Sequence, residues 1–387
     1  MRFLNEIKKK SSIIILLTLV VVGIFTIQNL VLDTYLMGNV EVSFYNNYLI
    51  FKQSFFSLIE NLNLYGSHRP IHIDYYKYSP TFALFFGIFA FLPVPVGLYL
   101  WNLLNATVFY AIWRIKFPHV KNKFWVWLFL VVEFITSIQS SQSNGLMAGL
   151  MILAFVFLER KNVAIATLMI VLSMFIKIFG VVAFALFLFY PDKMKAIGYA
   201  IFWGVLLFVL PLLVVSPNEL LAQYENWWVL LKNDKPVEFS LSVMGWLKYW
   251  FGFIPSGGAL TGVGVVLFLI PLTQIKKYSN PVFRELILAS VLMWVVLFNH
   301  KAESPTFIVS IAGVAIWYFS QPKSTWNTVL LISTILFTQL APTDLYPKSI
   351  RESFFIPYVI KVFPIILVWL KLLYDALFLK NEISETI

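Results

Sequence analysis

The chain contains no cysteine and little charge. Of its 387 residues none is Cys, and Asp, Glu, Lys and Arg together make up 12%, against roughly 25% in soluble domains. The first absence excludes disulfides, thiolate metal sites and cysteine nucleophiles. The second, with 60% hydrophobic residues, 18% aromatic residues and a mean hydropathy of +0.81, marks a polytopic integral membrane protein and leaves no room for a soluble globular domain. Standard chemical signatures are missing too: no Gly-x-x-x-x-Gly-Lys phosphate loop, no His-Glu-x-x-His metal helix and no Gly-x-Ser-x-Gly elbow. No Arg-rich voltage-sensing helix or paired inverted halves stand out, which weakens channel and transporter readings. The formal charge is +10, but the basic residues are scattered over short loops. That distribution is a positive-inside topology signal, and no nucleic-acid partner is expected.

What is present is a succession of apolar blocks, at 13–32, 79–92, 95–113, 124–138, 145–158, 163–175, 180–190, 196–215, 259–274, 282–298, 305–319, 325–340 and 356–379. A spanning helix takes about 20 apolar residues, so the blocks predict an all-α fold of roughly 12 transmembrane helices. A single membrane domain over 1–387 is expected. Arg2, Lys8, Lys9 and Lys10 precede the first block, and 29–33 offers no small-x-small cleavage pattern. An uncleaved first helix with a cytoplasmic N-terminus follows, in a cell inner (plasma) membrane. Placing the basic turns at 114–123, 159–161 and 192–195 inside brings the polar stretches 33–79, 139–144, 216–256, 299–303 and 341–355, with Lys177, to the extracytoplasmic side. One conflict stands: 79–113 must cross once yet holds two blocks. Either 79–92 is re-entrant or half-spanning, or the turn at Arg114 lies outside. Residues 44–59 are predicted to form an amphipathic helix lying in the interface.

The polar residues are the candidates for chemistry, because charge within a spanning segment is costly. Lys177 lies between two apolar half-runs and could meet a phosphate as a point charge, or snorkel at a tight turn. Glu133 could act directly or pair with a neighbouring lysine or amide. In Asn299-His300-Lys301-Ala302-Glu303 a helical turn would put His300 and Glu303 on one face; the alternative is a polar interhelical turn. Gln139, Gln142 and Asn144 could hydrogen-bond sugar hydroxyls or cap helix ends. Asn102 and Asn105 read as interhelical hydrogen-bond pairs, and Tyr224, Trp227, Trp228 and Trp246 as an aromatic belt or a platform for sugar rings. His68 and His72 read as solvent-exposed loop residues.

Short stretches then line up in order: Asn47-Tyr48-Leu49-Ile50-Phe51, Leu64-Tyr65, Tyr76-Lys77-Tyr78-Ser79-Pro80, Leu92-Pro93, Trp101 with Asn105, Ser141-Gln142-Ser143-Asn144-Gly145, Ile176-Lys177, Ser240-Leu241-Ser242 and Asn299-His300. Together they resemble glycosyltransferase family 87, integral-membrane transferases of the C-type fold related to polyprenyl-phosphate-mannose-dependent mannosyltransferases. The resemblance implies inverting transfer of a mannose-like sugar from a polyprenyl-phosphate donor to a lipid or glycan acceptor, with the loops 33–79 and 216–256 forming the site. It implies no cofactor and leaves a divalent metal open. Where the family has Asp at the start of an Asp-aromatic-x-x-Tyr motif this chain has Asn47, and an amide cannot take the acceptor's proton. Asp74 is therefore the first expectation for the general base, with Glu41 and Glu303 behind it, and His300 orients the acceptor or binds phosphate. Lys77, Lys177 and Lys301 are the cations for the phosphate, and Asn46, Asn47, Tyr76, Tyr78, Gln139, Gln142 and Asn144 complete the expected substrate contacts. A transporter or flippase of a lipid-linked saccharide, or an inactive envelope-assembly subunit, are the competing readings.

Overall fold

A computed structural model describes residues 2–37, 40–67, 72, 74–233 and 240–379. Helices dominate. In chain order they are α1 (Arg2–Leu32), α2 (Asn46–Ile59), α3 (Pro80–Ala90), α4 (Val94–Asn105), α5 (Thr107–Trp113), α6 (Phe124–Gln139), α7 (Asn144–Glu159), α8 (Val163–Ile176), α9 (Lys193–Val209) and α10 (Pro217–Asn233). They continue with α11 (Val243–Phe251), α12 (Gly257–Leu272), α13 (Pro281–Leu297), α14 (Phe307–Phe319), α15 (Thr325–Ser333), α16 (Lys348–Ile350) and α17 (Phe363–Phe378). A tight 3₁₀ run, Ile178–Phe189, follows α8. The strands β1 (Thr34–Met37) and β2 (Val40–Ser43) pair antiparallel, with Thr34 opposite Ser43.

The all-α expectation holds, and the helix lengths refine the count of crossings. Among the described residues three stretches are long and apolar enough to span, Ser12–Leu32, Val94–Trp113 and Lys193–Leu213. The pair Lys348–Phe355 and Ile360–Phe378, bent by 78°, makes a fourth if taken as one span. Seven further apolar helices run only 10–17 residues. At 1.5 Å per residue these rise about 15–26 Å, short of a hydrocarbon core of about 30 Å. Within 79–113, helix α3 has 11 residues and rises only about 16 Å, whereas Val94–Trp113 is of spanning length.

The chain folds into two compact units, Met1–Arg114 with Phe134–Val181 and Asp192–Lys235, and Ile115–Glu133 with Val182–Pro191 and Pro236–Ile387. In the first, an aromatic core forms where α2 packs on α3: Phe51 meets Tyr78, Phe82, Phe86 and Trp101 edge-on at ring separations of 4.9–5.5 Å. Such rings bury large apolar area and gain from edge-to-face geometry. Helix α2 is amphipathic as expected: Tyr48, Ile50, Phe51, Ser54, Phe55, Ser57 and Leu58 are buried against its own unit, while the row of Leu49, Lys52, Gln53, Phe56 and Ile59 is half-buried, with Lys52 donating to the Leu92 carbonyl at 3.2 Å. In the second unit the core is α13, α14 and α17, with Trp317, Phe283 and Phe307 fully buried.

Candidate functional site

The site builds up from the break between α6 and α7. Helix α6 ends in a Schellman turn: Gln142 N donates to Ser137 O at 3.3 Å, Ser141 N donates to Ile138 O at 2.9 Å, and Ser141 takes φ 50°. Glycine usually fills that left-handed position, which a side chain enters at a cost of about 1–2 kcal/mol. Three donors from three other helices hold it. Asn29 Nδ2 of α1 donates to Gln139 O, Asn47 Nδ2 of α2 to Ser140 O and Trp101 Nε1 of α4 to Ser141 O, each at 2.8 Å. Beyond the turn α7 begins with Asn144-Gly145. A Cβ at Gly145 would stand 2.5 Å from the Asn105 carbonyl oxygen, so only glycine allows this approach. Asn105 Oδ1 accepts from Leu146 N at 3.1 Å and caps the helix start.

This arrangement places Asn144 against Lys177. Lys177 follows α8 with extended backbone, φ −137° and ψ 125°, so the helix stops there and the side chain leaves the apolar row it would otherwise share. Its Nζ donates to Asn144 Oδ1 at 2.7 Å, and Asn144 Nδ2 donates to Gln142 Oε1 at 2.6 Å. The ammonium lies 5.8 Å from the ring centres of both Tyr78 and Phe179. Tyr78 is fixed in turn, its hydroxyl receiving the Ser143 Oγ proton at 3.4 Å and its carbonyl accepting from Tyr65 OH at 2.9 Å. Ser79 caps α3 and donates to Phe175 O at 2.5 Å, which pins the 76–80 segment to the end of α8. Lys177, Asn144, Gln142 and Tyr78 are thus one constellation, and Gln139 borders it, its Nε2 donating to Gln28 Oε1 at 3.0 Å.

Asp74 is exposed. Its Oδ2 pairs with Lys77 Nζ at 3.2 Å and its Oδ1 accepts from Tyr75 N at 2.7 Å. Three residues separate it from Tyr78, so the chain keeps the two Cα atoms within about 14 Å. Tyr76 is buried and its hydroxyl donates to Ser79 O at 2.7 Å. Burial pushes that phenol well above its usual pKa, with Tyr78 adding to the effect, so Tyr76 is a fixed donor and not a proton acceptor. His72, expected in solvent, is 2% exposed. Its Nδ1 lies 2.8 Å from Asp74 O, and since a carbonyl only accepts, Nδ1 carries the proton. His68 lies outside the described residues. Asn46 opens α2 and is half-buried.

Other expected residues sit elsewhere. Glu41 is exposed on strand β2, where Oε1 accepts from Thr34 Oγ1 at 2.6 Å. The stretch 216–256 is largely helical, not loop, and it is divided: α10 belongs to the first unit and α11 to the second. Helix α10 does meet the first loop. Trp227 Nε1 donates to Lys77 O at 3.1 Å, and Gln223 both accepts from Leu64 N and donates to Leu62 O. Asn102 and Asn105 are interhelical as expected, Asn102 donating to Thr26 Oγ1 at 3.1 Å.

His300, Lys301 and Glu303 belong to the second unit. The helical turn expected there is absent: α13 stops at Leu297, and Glu303 instead starts a short 3₁₀ turn, Ser304–Thr306. Glu303 and Thr306 cap one another reciprocally. Glu133, also in this unit, is fully buried and pairs with Lys361 at 2.7 Å. Lys361 also donates to Ser304 Oγ at 2.9 Å, and its carbonyl accepts from Thr338 Oγ1 at 2.8 Å. Sequence reasoning missed Lys361. The available signal was a lone lysine in the otherwise apolar run 356–370. Among the described residues no three His, Asp or Glu side chains gather as a metal site.

A helical membrane protein with a half-buried lysine held by an amide beside aromatic rings is what this geometry defines. The sequence matches glycosyltransferase family 87 over residues 76–341. The match takes in more than half of the chain, which therefore belongs to glycosyltransferase family 87 and is, by family, a membrane glycosyltransferase. Asn47 and Asp74 fall before the matched stretch; Tyr78, Asn144, Lys177 and His300 fall within it. No curated protein matches the chain.

Proposed function

We propose that the chain transfers a sugar, mannose-like, from a polyprenyl-phosphate donor to a lipid or glycan acceptor on the extracytoplasmic face of the plasma membrane. The observation that carries this reading is Lys177 at the broken end of α8, held by Asn144 over the Tyr78 ring. When the anomeric carbon leaves the lipid phosphate, the diester anion gains a second negative charge. A fixed ammonium stabilises that developing charge more than the ground state, which is what lowers a barrier. Gln142 and the amides of the turn present donors and acceptors suited to sugar hydroxyls. The apolar tail stays in the bilayer, against the apolar helix surfaces.

Asp74 is the proposed base. It is the exposed carboxylate on the segment leading to Tyr78, where it pairs with Lys77 at 3.2 Å. The acceptor O–H passes its proton to Asp74, the acceptor oxygen bonds to the anomeric carbon, and the carbon–oxygen bond to phosphate breaks with inversion. His300, Lys301 and Glu303 lie in the second unit, where the Glu303 side chain accepts one cap hydrogen bond.

The test uses purified protein in detergent with a polyprenyl-phosphate sugar and a lipid acceptor. Product formed without a gradient or sealed vesicle, and lost by about 10²–10⁴-fold in Asp74→Asn, is the expected result. Transport of lipid-linked sugar across liposomes with no product in detergent would favour the flippase reading instead.

A further inference from the structure

Asn29, Asn47 and Trp101 come from three separate helices, yet their side-chain N–H groups meet three consecutive carbonyls, Gln139 O, Ser140 O and Ser141 O. The convergence coincides with Ser141 in the left-handed region. A strained conformation persists where its surroundings over-determine it, and here the fixed turn ends one residue before Asn144, the partner of Lys177. We propose that Asn47 is a positioning residue: with Asn29 and Trp101 it clamps the 139–141 backbone and so sets the place of the Asn144–Lys177 pair that receives the donor phosphate. The inference rests on the donor-binding reading above. It also gives a physical reason for an amide at 47. The group facing a carbonyl must donate, and a carboxylate cannot.

Asn47→Asp exposes this through its protonation. A protonated carboxyl donates to Ser140 O and keeps the clamp; an ionised one repels the carbonyl and opens it. The charged groups around the position are Lys52 on α2, Asp33, which Tyr45 OH reaches at 3.5 Å, and Lys177 beyond the turn. All are present in both proteins, so their own titrations are common to variant and wild type, while their field moves the pKa of the introduced carboxyl. Because the chain has no cysteine, Ser140→Cys supplies a single thiol whose maleimide labelling rate, measured without donor, reports opening of the turn.

The hydrogen bond to the Ser140 carbonyl favours the protonated form of the introduced carboxyl and lifts its pKa above the usual ~3.9. The clamp predicts that, as pH rises through that titration, the variant's kcat/KM for polyprenyl-phosphate sugar relative to wild type falls on the order of tenfold, as expected for one lost hydrogen bond with an orphaned carbonyl. The fall resides in the donor KM, and relative labelling rises over the same range. Activity that instead rises with pH would mean the new carboxylate acts as a base, and it would overturn the clamp. So would labelling that ignores pH, or labelling that changes while donor KM does not. Should Asn47→Asp fail to fold, Asn29→Asp poses the same question at Gln139 O. Donor affinity left intact by Lys177→Ala would sink the donor-binding reading on its own, whatever the labelling shows.

Discussion

Each unit places a lysine where a helix is interrupted, and the two have different surroundings. Lys177 in the first unit is half-buried, donates to a neutral amide and lies over two aromatic rings. Lys361 in the second is 5% exposed, pairs with the fully buried Glu133 and binds Ser304. Its neighbourhood is bent as well as broken: Val359 sits at φ 44°, and the flanking helices turn by 78°. Taking two charges out of water is expensive, and their mutual attraction roughly offsets that cost. Lys361 is therefore committed to holding α6, the start of α14 and the bend together. Lys177, bound by an amide that also serves Gln142, has a partner an incoming phosphate oxygen can share. Position at a broken helix marks both residues as costly; their partners differ, a neutral amide for Lys177 and a buried carboxylate for Lys361.

Removing either half of the second unit's pair gives the largest expected effect. Lys361→Ala leaves a buried carboxylate uncompensated and costs about 3–5 kcal/mol, seen as loss of the folded peak in detergent chromatography or a drop in melting midpoint. The double change Glu133→Gln with Lys361→Met recovers most of that stability. A double variant as unstable as Lys361→Ala alone would contradict the account. Lys177→Ala sharpens the contrast: the protein folds, while transfer falls by about 10²–10³-fold, the scale for one donor on a developing anion. Lys177→Arg keeps part of the activity, because its planar fork replaces a point charge. Next comes Asn144→Ala, expected to cost about tenfold in donor KM through one hydrogen bond to a charged group. Smallest is Lys77→Ala, whose exposed pair with Asp74 changes stability by less than about 1 kcal/mol. A large stability loss there would mean the 72–78 segment depends on that pair.

The sequence made the apolar blocks, the break at 139–144 and the isolation of Lys177 legible, because each is a local contrast between polar residues and long apolar runs. It showed Asn144 and Gln142 as hydrogen-bonding groups but not that Asn144 would meet Lys177, 33 residues away. That pairing depends on Gly145 lying against Asn105, a packing event that composition does not encode. Gly145-Leu146-Met147-Ala148-Gly149 did carry a small-xxx-small signal for such close approach, and Gly149 does lie against Thr107. Asn47 was visible as a departure from the family pattern, while its contact with Ser140 O, 93 residues along the chain, was not. At 299–303 the backbone makes a turn and not a helix for a local reason: Pro305 follows at once, and Glu303 with Thr306 forms a capping box. Hairpin β1–β2 went unread although Gly38-Asn39 between Met37 and Val40 is a two-residue hairpin signal.

The central claim is that Lys177 receives the donor's phosphate. Its most direct test is equilibrium binding of a sugar-free polyprenyl phosphate to the purified protein in detergent, comparing wild type, Lys177→Gln and the Glu133→Gln/Lys361→Met pair. The account predicts at least roughly tenfold weaker binding for Lys177→Gln, as for one lost charge-assisted hydrogen bond, and wild-type binding for the folded double variant. Equal affinity of Lys177→Gln and wild type would contradict it.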